Sequence, residues 1–433
     1  MEKRLTLFFD ATPLARWEQA EMHRTGIGRM ATQSLQALLR RDDVHVVLLC
    51  PCGMEAHLLR FAAGRGWMRN VELALFSRGP EQRPTFSQRM KESAMQCVQR
   101  MLAPLPSRLQ GLVKLLIGVR PFAAYERPNA LLRQTVLSRM PGHGVAAWFS
   151  CFQPIPACLG GIDALQKHVV LHDIIPMRLA EKHPSYFTCR DLMRQHIAKA
   201  DCIWANSQFT RQDFLDYFPH VKKDRVRVAL LGGGEHFTPA NFTEMAAART
   251  FCGLPADVPY YVSLATLEPR KGLLDVIRAF NTVAEVRSDA HLVLIGQKGW
   301  HYKHILREGA GNARIIMPGF APDAVIAGLL SDCLGFVYMS EYEGFGLPVV
   351  EAMSCGAPVI AARATALLEV AGDAAILIRP GDVNALADAM GKLHENPELR
   401  KSLQCRGQDR ARKFSWDIFV DGIVNAIVAD VTA

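Results

Sequence analysis

Short apolar runs alternate with helix-patterned stretches from one end of this chain to the other, and no other feature narrows its fold as much. The runs in the first half are Leu5 to Phe9, Val44 to Leu49, Ala146 to Phe149, His168 to Leu171, Cys202 to Ala205 and Val226 to Leu230. Those in the second half are Tyr260 to Leu264, His291 to Ile295, Arg314 to Met317, Gly335 to Met339, Pro358 to Ala361 and Ala375 to Ile378. Strands separated by helical stretches do not pair through tight hairpins, so parallel sheets with crossover helices are expected. Two sets imply two sheets, and 433 residues exceed what one hydrophobic core usually holds. Between the sets lies LGGGEHFTPANFTEM, a glycine run followed by polar residues and a proline, which reads as an interdomain hinge. The expected organisation is an α/β protein with an N-terminal domain over residues 1–237 and a second over 238–413. A terminal amphipathic helix over 414–433 would pack back on the first domain.

Residues 78–133 break the pattern, being rich in Arg and Lys, poor in acids, and interleaved with apolar clusters such as MLAPLP and LVKLLIGV. Two readings stand side by side: basic amphipathic helices on an anionic membrane surface, or a solvated surface excursion. The N-terminal MEKRLTLFFDATPL reads as a first strand rather than a signal peptide. No apolar run reaches the roughly 18 residues a spanning helix needs. Eleven cysteines without a C-x-x-C pair read as cytosolic thiols rather than a disulfide framework or a zinc site. A cytoplasmic protein, peripheral on the membrane's inner face if the basic segment binds lipid, is therefore expected. Net charge of +8 is compatible with nucleic acid, an anionic bilayer or a phosphorylated substrate. No aromatic-and-basic ribbon accompanies it, so nucleic acid is not expected as a partner.

The stretch that says most about chemistry is SEYEGFGLPVVEAMSCGAPVIAAR, residues 340–363. A strand ends, a loop carries Glu341, Glu343, Gly344, Phe345 and Gly346, a helix opens at Leu347 and Pro348, and Gly356 closes it. In open parallel sheets the ligand crevice lies outside the carboxyl ends of the strands, where this loop must sit. Glycines there let the backbone approach a ligand, and helix-terminal N–H groups favour a diphosphate. Glu343 and Glu351 can lie along one ligand, accepting hydrogen bonds from sugar and ribose hydroxyls respectively. SLATLEPRKG likewise follows a strand, placing Glu268, Arg270 and Lys271 at a sheet's carboxyl edge, where cations neutralise charge on a leaving diphosphate. His172-Asp173 comes directly after the strand HVVL. In TGIGR, Gly26 and Gly28 are expected between the first strand and first helix, either as an amide approach to phosphate or as a plain tight turn.

The 340–363 segment resembles the E-x7-E motif of retaining GT-B glycosyltransferases of family GT4. The similarity extends through TLEPRKGLLDVIRAF, HDIIPMRLAEKHPSYF, ANSQFTRQDFL and FSWDIF, while DATPLAR with TGIGR is most similar to bacterial polysaccharide enzymes, many of them mannosyltransferases. The resemblance implies two Rossmann-like domains facing a central cleft, with the nucleotide sugar held mainly by the second. It implies retention of anomeric configuration, a GDP-mannose or other nucleotide-sugar donor, no cofactor, and a lipid-linked saccharide acceptor. It assigns Lys271 to the phosphates, and His172 to the anomeric centre through its side chain or backbone carbonyl. Glu343 is implied as a ligand of the sugar, with Glu351, Glu268, Gly344, Phe345, Gly346 and Leu347 around the donor. Departures from the family pattern fall at Ala265, where an arginine is common, at Gly232-Gly233-Gly234, and at Ala364-Thr365. No D-x-D triplet occurs, so cations and a helix N-terminus would stand in for a metal. A catalytically silent GT-B subunit and a nucleotide-sugar epimerase are the competing readings.

Overall fold

The computed structural model describes residues 5–17, 26–50, 55–63, 65–68, 71–75, 130–179, 186–233, 237–287 and 289–432. Most of the basic segment 78–133 and part of the glycine run lie outside these residues. The chain divides into two compact units. One comprises the described residues up to Ala205, Phe214–Ala229 and those from Val420 on; the other comprises Asn206–Asp213 and Leu230–Phe419.

Among the described residues, the first unit is built on seven parallel strands: β1 (Leu5–Asp10), β2 (Val44–Cys50), β3 (Glu72–Leu75), β4 (Val145–Ser150), β5 (Leu165–Leu171), β6 (Cys202–Ala205) and β7 (Val226–Val228), in the order β3-β2-β1-β4-β5-β6-β7. Every residue of β1 and β4 is buried, as a parallel sheet covered on both faces requires. The strand β3 is one the sequence pattern did not reveal. With four residues, ELAL, at the sheet's edge, it is too short for alternation to show. The C-terminal helix Trp416–Thr432 returns to this unit as expected: Asp421 pairs with Arg41, Gln166 donates to the Ile427 carbonyl at 3.2 Å, and Asp430 pairs with Arg227 at 2.8 Å.

In the second unit, β8 (Tyr260–Leu264), β9 (His291–Ile295), β10 (Ile315–Gly319), β11 (Gly335–Tyr338), β12 (Val359–Ala362) and β13 (Ala375–Ile378) form a parallel sheet ordered β10-β9-β8-β11-β12-β13. Adjacent residues of a strand face opposite sides. Tyr260 donates its hydroxyl to the Leu329 carbonyl at 2.9 Å, while Tyr261 donates to Met390 at 2.6 Å, each on its own helix layer. Both rings are fully buried, and those two bonds spare the sheet two unsatisfied hydroxyls.

The division expected near residue 238 falls slightly earlier in the chain. Leu230 onward already belongs to the second unit, because the glycine run packs against it. Gly233 donates its N–H to the Phe414 carbonyl at 2.9 Å, and a Cβ on Gly232 would stand 2.4 Å from the Trp416 backbone nitrogen. Close packing, rather than hinge freedom, accounts for glycine at these two positions. Gly232→Ala is therefore expected to destabilise the protein by about 1–3 kcal/mol and lower its melting temperature. Gly391→Ala, in the helix Val383–Glu395 with nothing within 4 Å of the added methyl, is the control and is expected to be neutral or stabilising by about 0.5–1 kcal/mol.

Candidate active site

Strand order in the second sheet reverses between β8 and β11, which lie side by side with Gly335 opposite Tyr261 and Phe336 opposite Val262. The loops leaving their carboxyl ends carry Glu268, Arg270 and Lys271 on one side and Ser340 to Gly346 on the other, the place where open α/β sheets bind ligands. Gly272 lets the two loops meet. It sits at φ 65°, and a Cβ there would stand 2.2 Å from the Met339 carbonyl oxygen. Beside it the Glu341 N–H donates to the Arg270 carbonyl at 2.9 Å.

At the junction stands a quartet of charges. Lys271 Nζ donates to Glu343 Oε1 at 2.5 Å, Arg270 Nη1 donates to the same oxygen at 3.1 Å, and Arg270 Nη2 donates to Glu268 Oε1 at 2.6 Å. The Tyr338 hydroxyl adds a third donor to Glu343 Oε1, at 2.9 Å. The four charged side chains are only 11–12% exposed. Burial alone would raise the Glu343 carboxyl, but Lys271 and then Arg270 outweigh it and hold the group at about 2. Burial, with the Glu343 charge behind it, pushes the Tyr338 hydroxyl well above its ordinary range. Glu343 is thus ionised and Tyr338 protonated throughout the neutral range.

Sequence reasoning placed Arg270 and Lys271 as cations facing a diphosphate. The structure balances them against Glu268 and Glu343, so the quartet carries no formal net charge. Glu351 lies in the helix Leu347–Ser354 and is 1% exposed. Burial first, and the Glu351 charge second, push the nearby Cys355 thiol up to about 12. Gly344 and Gly346 precede that helix, and Gly346 at φ 105° turns the chain into it at Leu347. Phe345 is buried, edge-on to Phe414 with ring centroids 5.6 Å apart.

His172 and the TGIGR glycines belong to the first unit. His172 Nε2 lies 2.7 Å from the Cys151 carbonyl, which fixes Nε2 as the protonated nitrogen, and burial lowers its pKa so that the ring is neutral at pH 7. Asp173 Oδ1 accepts the Ile175 N–H at 2.9 Å. Gly26 and Gly28 do not sit in a turn between the first strand and first helix. A short helix, Thr12–Trp17, follows β1, and both glycines fall in the first turn of the next helix, Gly26–Leu39, where the Gly28 carbonyl accepts from Thr32 Oγ1 at 3.1 Å.

Residues the motifs did not assign also shape the loop. Tyr338 is recognisable only once β11 is known to end at it. Thr365 Oγ1 accepts the Glu343 N–H at 3.0 Å, and Ser207 and Thr210 hydroxyls both donate to the Gly344 carbonyl, at 2.6 and 2.9 Å. Thr365 sits at φ 50°. For a β-branched residue that conformation is an outlier costing about 1–3 kcal/mol.

The family model described as glycosyl transferases group 1 matches residues 246–410. O-antigen chain mannosyltransferase B of Escherichia coli is 30% identical over 261 residues, which are 59% of this chain and 68% of that protein. A serotype-specific mannosyltransferase WbdA, also of Escherichia coli, is 30% identical over 258 residues, 57% of this chain but only 31% of that longer relative. The chain belongs to the glycosyl transferases group 1 family and is a glycosyltransferase, as the E-x7-E resemblance implied. Among solved structures it is similar to Anabaena HepE, crystallised with UDP and glucose, at TM-score 0.62 and 17% identity over 98% of this chain and 100% of that one. Sucrose-phosphate synthase from Thermosynechococcus elongatus matches at TM-score 0.65 and 18% identity, covering 99% of this chain and 100% of that one. At such identities the likeness shows the fold, GT-B.

Glu343 is held at about 2, below the usual carboxylate value near 4.3, so its charge stabilises the fold fully above the latter pH. That contribution is lost as pH falls toward 2. In denaturant titrations the stability difference between the wild type and Glu343→Gln is expected to stay level from pH 7 to about 5 and shrink between about 4.3 and 2.

Proposed function

We propose that this enzyme transfers a mannosyl residue, with retention of configuration, from GDP-mannose to a growing bacterial surface polysaccharide on a lipid carrier. The observation that carries the reading is the buried Lys271–Glu343 pair where β8 and β11 part, in a chain about 30% identical to two mannosyltransferases. Among the described residues no helix is long and apolar enough to cross a membrane. The lipid-linked acceptor is supported by the basic composition of residues 78–133, which reads as a segment suited to an anionic surface.

On this reading the anomeric carbon–oxygen bond to the nucleoside diphosphate breaks. The acceptor hydroxyl bonds to that carbon on the same face, and its proton passes to the departing β-phosphate oxygen. Glu343, ionised at working pH, accepts hydrogen bonds from the sugar's hydroxyls and orients the ring. When a diphosphate arrives, Lys271 can turn part of its charge from Glu343 to the phosphate, and N–H groups at the start of Leu347–Ser354 add to the hold.

A panel of nucleotide sugars scored by thermal stabilisation tests the donor. GDP-mannose at about a hundred times its Kd is expected to add about 2.7 kcal/mol and raise the melting temperature, ahead of UDP-sugars. Lys271→Ala is expected to lower turnover about 100- to 1,000-fold. Stabilisation by UDP-sugars alone overturns the mannosyl assignment, and conversion of a nucleotide sugar without acceptor overturns transfer in favour of epimerisation.

A further inference from the structure

We propose that Ser207, Thr210 and Thr365 form a hydroxyl clip that positions Glu343 against the donor sugar, an inference that rests on the donor reading above. The clip grips the peptide units on either side of the Glu343–Gly344 peptide. Thr365 Oγ1 holds the Glu343 amide at 3.0 Å, while Ser207 and Thr210 hold the Gly344 carbonyl at 2.6 and 2.9 Å. With the Glu343 amide and the Gly344 carbonyl pinned, and the Ala366 N–H donating to the Glu343 carbonyl between them at 3.4 Å, the backbone at Glu343 has little freedom to rotate its carboxylate away. The two bonds to Gly344 are shielded from water, Ser207 being fully buried and Thr210 2% exposed.

The jaws are tied to one another. The helix Thr365–Ala371 opens with one hydroxyl of the clip and carries Glu369, whose carboxylate accepts the N–H of Gln208 at 2.9 Å and of Phe209 at 3.2 Å. Those two amides begin the helix that carries Thr210, and Thr210 N–H itself donates to Ser207 Oγ at 3.0 Å. Phe209 packs edge-on against Tyr342, with ring centroids 5.5 Å apart, directly before Glu343 in the chain.

Thr365 also bears a conformational penalty. Its φ of 50° is the region glycine occupies freely, yet the residue is β-branched. The hydroxyl on the Glu343 amide is the compensating contact. Thr365→Gly therefore separates the two roles, because it relieves the backbone while deleting the clip.

The test titrates the full chain with GDP-mannose and with GDP by calorimetry, beside melting temperatures and turnover. Thr365→Gly is expected to melt at or above the wild-type temperature, weaken GDP-mannose about tenfold, leave GDP within about twofold, and lower turnover about tenfold. Thr365→Ser, which keeps the hydroxyl, is expected to behave as wild type, and the double variant Ser207→Ala/Thr210→Ala to reproduce the loss. Unchanged affinities and turnover in Thr365→Gly, or equal weakening of GDP and GDP-mannose, overturn the clip. Glu343→Gln in the same titration tells the two ideas apart. If it discriminates between the ligands and Thr365→Gly does not, the clip alone falls. If it does not discriminate, the donor role of Glu343 falls and the clip with it.

Discussion

A single carboxylate oxygen, Glu343 Oε1, accepts from Lys271, Arg270 and Tyr338, and the architecture of the second unit's sheet edge follows from keeping that buried charge satisfied. Removing a carboxylate from water is costly unless opposite charge and hydrogen bonds replace the lost hydration. Three donors on one oxygen do so, but only if two loops from different strands arrive together. The adjacency of β8 and β11 sets their roots, and glycine at 272 removes the side chain that would hold them apart. The lysine and the glutamate thus depend on a residue that bears no chemistry.

Much of this was legible in the sequence. Alternating apolar runs gave both sheets, because strands buried on two faces must be nearly all apolar, and β8 to β13 match the six second-half runs closely. Glycines and a proline at a strand-to-helix junction mark the loop at Gly344 to Pro348 in the sequence itself. Edge strand β3 escaped because four residues cannot display a period.

Sequence order also hid what space brings together. Ser207 and Thr210 stand more than a hundred residues before Gly344, in the stretch ANSQFTRQDFL, whose resemblance to the family gave neither hydroxyl a role. Nothing local marks the segment Asn206–Asp213 as part of the second unit. The boundary expected near 238 followed the glycine run as a flexible signal, whereas the structure packs Gly232 and Gly233 tightly against Trp416 and Phe414. A glycine in a sequence announces either freedom or crowding, and only its neighbours decide which. Thr365 is the reverse case, a side chain kept where backbone geometry favours none.

Charge balance in the quartet bears on how a dianionic donor would be held. Two cations against two carboxylates leave no formal surplus, so attraction of a diphosphate cannot rest on Arg270 and Lys271 as bare charges. On the proposed reading it would come from the amides at the start of Leu347–Ser354 and from redistribution, with sugar hydroxyls replacing Lys271 as donors to Glu343 while the ammonium turns to phosphate. Such an exchange ties the sugar and the phosphate together, since Lys271 is released only when something else satisfies the carboxylate. A ligand lacking the sugar leaves Glu343 competing for the lysine. On the proposed reading the Lys271–Glu343 pair would therefore favour the intact nucleotide sugar over its nucleotide product.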